Sequence, residues 1–251
     1  MAIEIANPSG GSAGVALGLV EPGDPDAVQV IAVELLREVD RDRDDLIPAI
    51  ERLFAATRRS LADVRRVAVS VGPGGFTSAR VACATGAMLA EGLGVPTVAV
   101  PSALAAAVRE RRTAGAAGGH VAVLMASKGA AAWCALVPTE SPSPARAVSG
   151  RMMTAAEVVA AGPRVALADH HLPADIRAAL DGAGIAVRPL EFSAEDCLRA
   201  SALCDACDPA ALVPVYPREP EAVTLWRARH GALRGNSDSG SGLGRADTPG
   251  Q

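Results

Sequence analysis

Gly72, Pro73, Gly74 and Gly75 follow a β-branched run and precede Phe76, Thr77 and Ser78. Residues without a Cβ permit unusual backbone angles, so this is a tight turn. Thr77 or Ser78 is placed to cap the helix that follows, whose first N–H groups then point outward and suit an anion. The loop lacks the G-K-[ST] ending of a P-loop and is not G-x-G-x-x-G. A structural turn and a ligand-contacting turn are both open readings, the structural one preferred.

The other candidate groups are sparser. The four histidines, His120, His170, His171 and His230, include no His-x-x-x-His pair of the kind that places two imidazoles on adjacent helical turns. His170 and His171 read as a solvated loop. Cys204 and Cys207 form a C-x-x-C with Cys197 one helical stripe away, but a second C-x-x-C is missing, so helix packing is preferred over zinc or a disulfide. No histidine is tied by a local motif to a serine, and no G-x-S-x-G elbow is read.

These residues need elements to position them. Ala2 to Ala6, Val15 to Val20 and Val28 to Leu35 read as strands separated by turns. A helix begins near Asp44 and Asp45, with Leu46, Ile47, Ile50, Leu53 and Phe54 as its apolar stripe. Val67 to Val71 is a buried strand, and a helix over 77–93 is stopped by Gly94. In that helix Ser78, Ala82, Gly86 and Ala90 recur every four residues. Such a ridge of small side chains lets another element approach closely, within this chain or from a partner. Val95 to Val100 is a strand, Ser102 caps a helix to about Arg112, and residues 113–119 read as a hinge. Beyond it, Val121 to Met125 and Ala131 to Val137 pair as strands. Thr154 with Glu157 is a capping-box spacing. Arg164 to Ala168 and Ile185 to Leu190 are strands around a helix from Ala174 to Leu180, and a last helix runs from Ser193 toward Cys207. The segment after Leu225 has almost nothing to bury and is expected to be disordered. Strands followed by alternating helices, given twice, predict an α/β protein of two lobes, residues 1–112 and 113–225, with a tail from 226 to 251.

Composition fits a globular chain: 251 residues, 49% hydrophobic and 21% charged, with aromatics at 2%. Of 24 basic residues only Lys128 is a lysine, and the net charge of −4 argues against binding a polyanion alone. Five cysteines without a small-scaffold pattern fit a reducing compartment. With no basic leader and no apolar run of membrane length, a soluble cytoplasmic protein is expected.

The stretch from Gly72 to Leu104 resembles the signature of the TsaB (YeaZ) family, part of the glycoprotease-like (peptidase M22-type) superfamily. That signature reads approximately G-P-G-S-F-T-G-L-R, a small-residue helix, then G-[IV]-P and S-x-L. Gly72, Pro73, Gly74, Phe76, Thr77 and Arg80 match it, as do Gly94, Val95, Pro96, Ser102 and Leu104. The segment Asp44 to Phe54 resembles the family's L-L-P-x-I-x-x-L-L helix, and residues 214–222 resemble its P-V-Y-x-R element. There are departures. Asn7 and Pro8 stand where members carry I-D-T-S, Met125 replaces the acid of a usual D-A-R, and Gly75 and Ser78 replace the usual Ser and Gly.

The resemblance implies an actin-like, ribonuclease-H-type (ASKHA) two-lobed fold. It implies a non-catalytic subunit that binds a TsaD-type catalytic subunit, with a TsaE-type ATPase in the same complex. That assembly installs N6-threonylcarbamoyl on adenosine 37 of tRNA, and the chain meets tRNA only through it. The expected TsaD contact uses the helices at 44–57 and 77–93, with Leu46, Ile50, Phe76, Thr77, Ser78, Arg80, Ala82, Gly86 and Ala90 as the partner-binding set. A homodimer is an alternative when that partner is absent, and no cofactor, metal or membrane is implied. Two other readings are a metal-dependent acyltransferase or glycoprotease-like enzyme, and a stand-alone nucleotide-binding protein.

Overall fold

The computed structural model describes residues 1–7, 11–37, 45–115, 118–128, 130–139 and 148–217, together with Val223, Trp226, Arg227 and Arg229. The chain divides into a compact unit from Met1 to Pro217 and a second from Arg218 to Gln251. In the second unit Val223 is helical, and so are Trp226, Arg227 and Arg229, where a structureless tail is expected from composition; the rest of that expectation lies outside the described residues.

The first unit opens with β1 (Ala2–Glu4), β2 (Gly11–Ser12), β3 (Gly14–Leu19), β4 (Gln29–Leu35) and α1 (Leu46–Thr57). It continues through β5 (Val67–Gly72), α2 (Phe76–Leu93), β6 (Thr97–Pro101) and α3 (Ser102–Ala114). A second series follows: β7 (His120–Lys128), β8 (Ala131–Pro138), β9 (Gly150–Thr154), α4 (Ala155–Ala160), β10 (Val165–Ala168), α5 (Ala174–Gly182) and β11 (Ala186–Pro189). The unit closes with β12 (Phe192–Ser193), α6 (Ala194–Ala200) and β13 (Ala206–Cys207).

The two series repeat one topology. In the first sheet β3 is antiparallel to both β1 and β4, while β5 runs parallel to β1 and β6 to β5, giving the order β13-β6-β5-β1-β3-β4. In the second, β8 is antiparallel to β7 and β9, while β10 runs parallel to β7 and β11 to β10, giving β11-β10-β7-β8-β9. Each series is three antiparallel strands, a helix, a parallel strand, a helix and a parallel strand.

Pleating explains the layers. Successive side chains of a strand point to opposite faces. Val67, Val69 and Val71 of β5 join Ile3, Val15 and Leu17 in a core under α1 and α2. Ala2, Ala68, Val98 and Val100 face the other way, toward α3 and α6, and share one core with Val121, Val123, Val165 and Leu167 of the second sheet. The outer face of the second sheet packs Leu124, Ala166, Val158, Ile176 and Leu180 with α4 and α5. All six residues of β5 are buried, which accounts for an apolar run broken only by Ser70. In α3 every residue from Ser102 to Val108 is buried, so the first half of the helix lies inside the molecule, while its second half carries Arg109, Arg111 and Arg112.

The periodicity places most elements within a few residues of their observed bounds, and Gly94 ends α2 at φ 65°. Three details differ. The helix from Ser193 stops at Ala200, and the chain turns through residues 201–203 into β13, which returns to the first sheet beside β6. Residues 194–207 therefore pack with the first sheet's strands, although the bounds expected from sequence, 113–225, place them in the second lobe. Ser102 does not cap α3; Pro101 holds the cap position, and the Ser102 hydroxyl is drawn into a buried cluster. Neither Thr77 nor Ser78 caps α2, whose cap residue is Gly75 with no side-chain bond.

Candidate functional site

The Gly72–Gly75 turn sits on the end of β1. Gly75 N–H donates to the Ala6 carbonyl at 2.7 Å. A Cβ on Gly74 would stand 2.1 Å from that oxygen and 2.9 Å from Asn7 Oδ1, so only glycine fits. The Gly75 amide that would serve an anion is thus already used by the protein, which favours the structural reading of the turn.

Beneath it lies a buried polar cluster. Asn7 Nδ2 donates to Ser102 Oγ at 2.9 Å, and Ser102 Oγ is 3.1 Å from Ser70 Oγ. Glu4, 1% exposed, accepts at Oε1 from the Ala6 amide at 2.9 Å and the Asn7 amide at 3.3 Å. Desolvation pushes the Glu4 carboxyl up to about 7. Asn7, standing where the resembled family has an acid, is thus a hydrogen-bonded structural residue rather than a proton acceptor. Sequence reasoning found Asn7 but not Glu4 or Ser70. The available signal was an acid inside the apolar run Ala2 to Ala6.

The partner-binding set divides into two groups. Leu46, Ile50, Ala82, Gly86 and Ala90 are buried in the core under α1 and α2. A Cβ on Gly86 would come within 2.3 Å of Val69 Cγ2, so the small-residue ridge lets α2 lie close on β5. That corrects its expected role as a partner surface, because side chains filling this chain's own core have no area to offer another molecule. Phe76, Thr77 and Arg80 are exposed and Ser78 half-buried. The Phe76 ring stacks on Tyr216 with centroids 4.9 Å apart, and the Arg80 guanidinium lies 5.5 Å over the Phe76 ring. Tyr216 arrives because the Val215 amide donates to the Val71 carbonyl at 2.7 Å. Two of the three motifs, 72–80 and 214–217, therefore meet in space; residues 218–222 of the third lie outside the described residues. Elsewhere on these two helices Met88 is 72% and Ile47 50% exposed.

Among the described residues no group of three His, Cys, Asp or Glu is placed to hold a metal. All five cysteines are free. Cys197 and Cys204 lie in the core, whereas Cys207 is half-exposed on β13 and 3.3 Å from Thr97 Oγ1, so it packs on a strand and not in a helix as expected. Burial pushes the Cys83 thiol up to about 11 and those of Cys134 and Cys204 to about 12, which keeps them unreactive. His170 and His171 are exposed with rings 3.8 Å apart. Residues 10–14 do spell Gly-Gly-Ser-Ala-Gly, a literal elbow spacing, but Ser12 ends β2 paired with β12 and leads into another strand.

Two sheets of one repeated order, with helices between them and outside them, define a protein of the actin-like, ribonuclease-H-type class. Residues 40–135 match the family model described as TsaD: tRNA N6-adenosine threonylcarbamoyltransferase. The fold is that of an uncharacterised protein with similarity to peptidase YeaZ from Pseudomonas aeruginosa, at TM-score 0.61 and 20% identity over 86% of this chain and 98% of that one. It is also that of YeaZ from Pseudomonas aeruginosa, at TM-score 0.59 and 18% identity over 86% and 97%. No curated protein matches in sequence. The family model thus matches part of the chain, and the likeness to the two Pseudomonas aeruginosa structures is one of fold.

Proposed function

We propose that this chain is an accessory, non-catalytic subunit in the installation of N6-threonylcarbamoyl on adenosine 37 of tRNA, docking a TsaD-type catalytic subunit in a complex that also holds a TsaE-type ATPase. The observation that carries this reading is the exposed Phe76 at the start of α2, stacked on Tyr216 with the Arg80 guanidinium over its ring, while Ile47 of α1 and Met88 of α2 are exposed as well. An exposed aromatic pair with an arginine against it is what protein interfaces use as an anchor. The partner surface is therefore the outer face of these helices, not the inner ridge. The test is co-purification and calorimetry with the TsaD-type subunit of the same organism. Met88→Asp and Arg80→Glu should each weaken binding roughly tenfold or more, about 1.4 kcal/mol per tenfold, while melting temperature stays within about a degree. Wild-type protein that fails to bind, or variants that bind as tightly as wild type, would sink the reading.

A second reading has one observation behind it: the matching family model is that of the transferase itself. It requires the isolated chain to form the modified nucleoside from threonylcarbamoyl-adenylate and tRNA. Asn7, with its amide committed to Ser102 and Glu4, speaks against a base at that position. Turnover by the isolated chain, metal-free or metal-supplied, would establish this reading in place of the first.

A further inference from the structure

Glu110, in the second half of α3, is a single carboxylate shared by two guanidiniums, and it is buried. Its Oε1 accepts from Arg188 Nη1 of β11 at 2.7 Å. The same oxygen stands 3.6 Å from Arg164 Nη2, just before β10, which is too far for a hydrogen bond. Arg164 Nε and Nη2 are accordingly buried without a hydrogen-bond partner. Its backbone is pinned, because the Arg164 amide donates to the His120 carbonyl at 2.9 Å.

The neighbouring charges give no relief. Arg109 pairs with Glu191 and Asp196, Arg112 with Asp196 and Glu195, and Arg199 with Glu195. Those three arginines and three acids balance one another. Among the described residues, Arg164 and Arg188 on Glu110 therefore hold one positive charge in excess. Buried donors without an acceptor, beside a cation without a counter-charge, are a costly arrangement that an anion relieves.

A cavity of about 380 Å³ opens beside this pair, between α3 and β11. Ala106, Leu167 and Pro189 give it apolar walls, and Glu110 and Arg188 line it as well. Arg109 and Glu191 also reach it, but they are paired with each other. Arg188 is the accessible cation: its side chain is 46% exposed, and Nη1 is committed to Glu110 while the rest of the fork bonds no described residue.

We propose that this cavity binds a small organic monocarboxylate. The carboxylate meets the open edge of the Arg188 fork and offsets the excess charge beside Arg164, while the apolar body lies on Ala106, Leu167 and Pro189. A single negative charge matches the excess, and the parallel N–H donors of a guanidinium match a planar carboxylate. The site is built from α3, β10 and β11 and uses none of the exposed residues of α1 and α2, so it stands or falls apart from the proposed function.

Titration of the full chain with sodium benzoate at constant ionic strength, followed by backbone amide shifts, tests it. Benzoate should saturate with a dissociation constant on the order of a millimolar or below, with shifts confined to residues 106–114, 164–168 and 186–191. Acetate, which has no body to cover the apolar walls, and inorganic phosphate should each bind roughly tenfold more weakly or worse. Arg188→Met leaves one guanidinium for one carboxylate and should weaken benzoate by about tenfold or more. Glu110→Gln leaves both guanidiniums without a counter-charge and should tighten it. The proposal is overturned if benzoate gives no saturable shift, if the shifts scatter over other arginines, if phosphate binds as tightly as benzoate, or if Arg188→Met binds as wild type does. The wild-type titrations decide the matter even if Glu110→Gln does not fold.

Discussion

Gly86 and Phe76, ten residues apart on one helix, have opposite tasks. Gly86 faces β5 so closely that a single added carbon would overlap Val69, whereas Phe76 meets solvent, Tyr216 and Arg80. Gly86→Leu and Ala82→Trp, which on the sequence alone are probes of partner binding, therefore become probes of folding. Each should destabilise by about 1–3 kcal/mol or more, because an overpacked core must shift backbone to make room. Urea midpoints would show it; a variant with an unchanged midpoint would mean that α2 lies further from β5 than described. The i, i+4 spacing of small residues is visible in sequence, but spacing does not say which face of the helix the sheet covers.

Among the elements, α4 is the clearest case of local chemistry setting a boundary. Thr154 Oγ1 accepts from the Glu157 amide at 3.4 Å, and Glu157 Oε2 accepts from the Thr154 amide at 2.8 Å, the reciprocal pair anticipated from the Thr-x-x-Glu spacing. Thr154→Ala should cost about 1 kcal/mol, roughly 2–4 °C in melting temperature for a unit of this size. A loss below half a degree by calorimetry would show that tertiary packing, not the cap, holds the helix start. The helix from Ser193 illustrates the opposite limit. Ser193 caps it as expected, bonding the Asp196 amide at 3.1 Å, but its end is not written locally. Asp196, fully buried, takes Arg109 and Arg112 of α3 at 3.1 Å each, which anchors α6 against α3. The following residues then add β13 to the first sheet beside β6.

At the scale of the whole molecule, the carboxyl groups set opposing pH limits. The Arg52 guanidinium, then the Arg37 amide, hold Asp45 down at about 2. The Thr154 amide, then Arg151, do the same for Glu157. A carboxyl whose folded pKa is depressed contributes stability that is complete above its unfolded value, about 4, and is lost as pH falls toward 2. Glu4 has the opposite sign: its raised value costs stability progressively from about pH 4.5 to about 7. Burial also pushes the Met1 ammonium down to about 6, which adds stability as pH rises from about 6 to 8. Melting temperature should therefore rise to about pH 4.5 and fall from there to about pH 6, where the Met1 contribution begins to offset the loss. Arg52→Met should weaken the acid limb and leave the fall above about pH 4.5 intact. A curve still rising from about pH 5 to 6 would contradict the described environment of Glu4.

The sequence alone determined the parts of this protein that depend on neighbours in the chain. Apolar periodicity, the glycine turn, Gly94 and the Thr154 cap located the elements, and their order, given twice, specified a two-lobed α/β architecture. Three things required the tertiary structure. Which side of α2 faces inward was decided by β5, whose Val69 leaves room for Gly86 and little else. The return of β13 to the first sheet joined residues more than a hundred apart, and no local pattern encodes such a pairing. The cluster of Glu4, Asn7, Ser70 and Ser102 exists because two parallel strands and the start of α3 converge under the turn. Glu4 stands out in its segment only as an acid in an apolar run; its environment, and hence its charge state, is a property of the assembled fold.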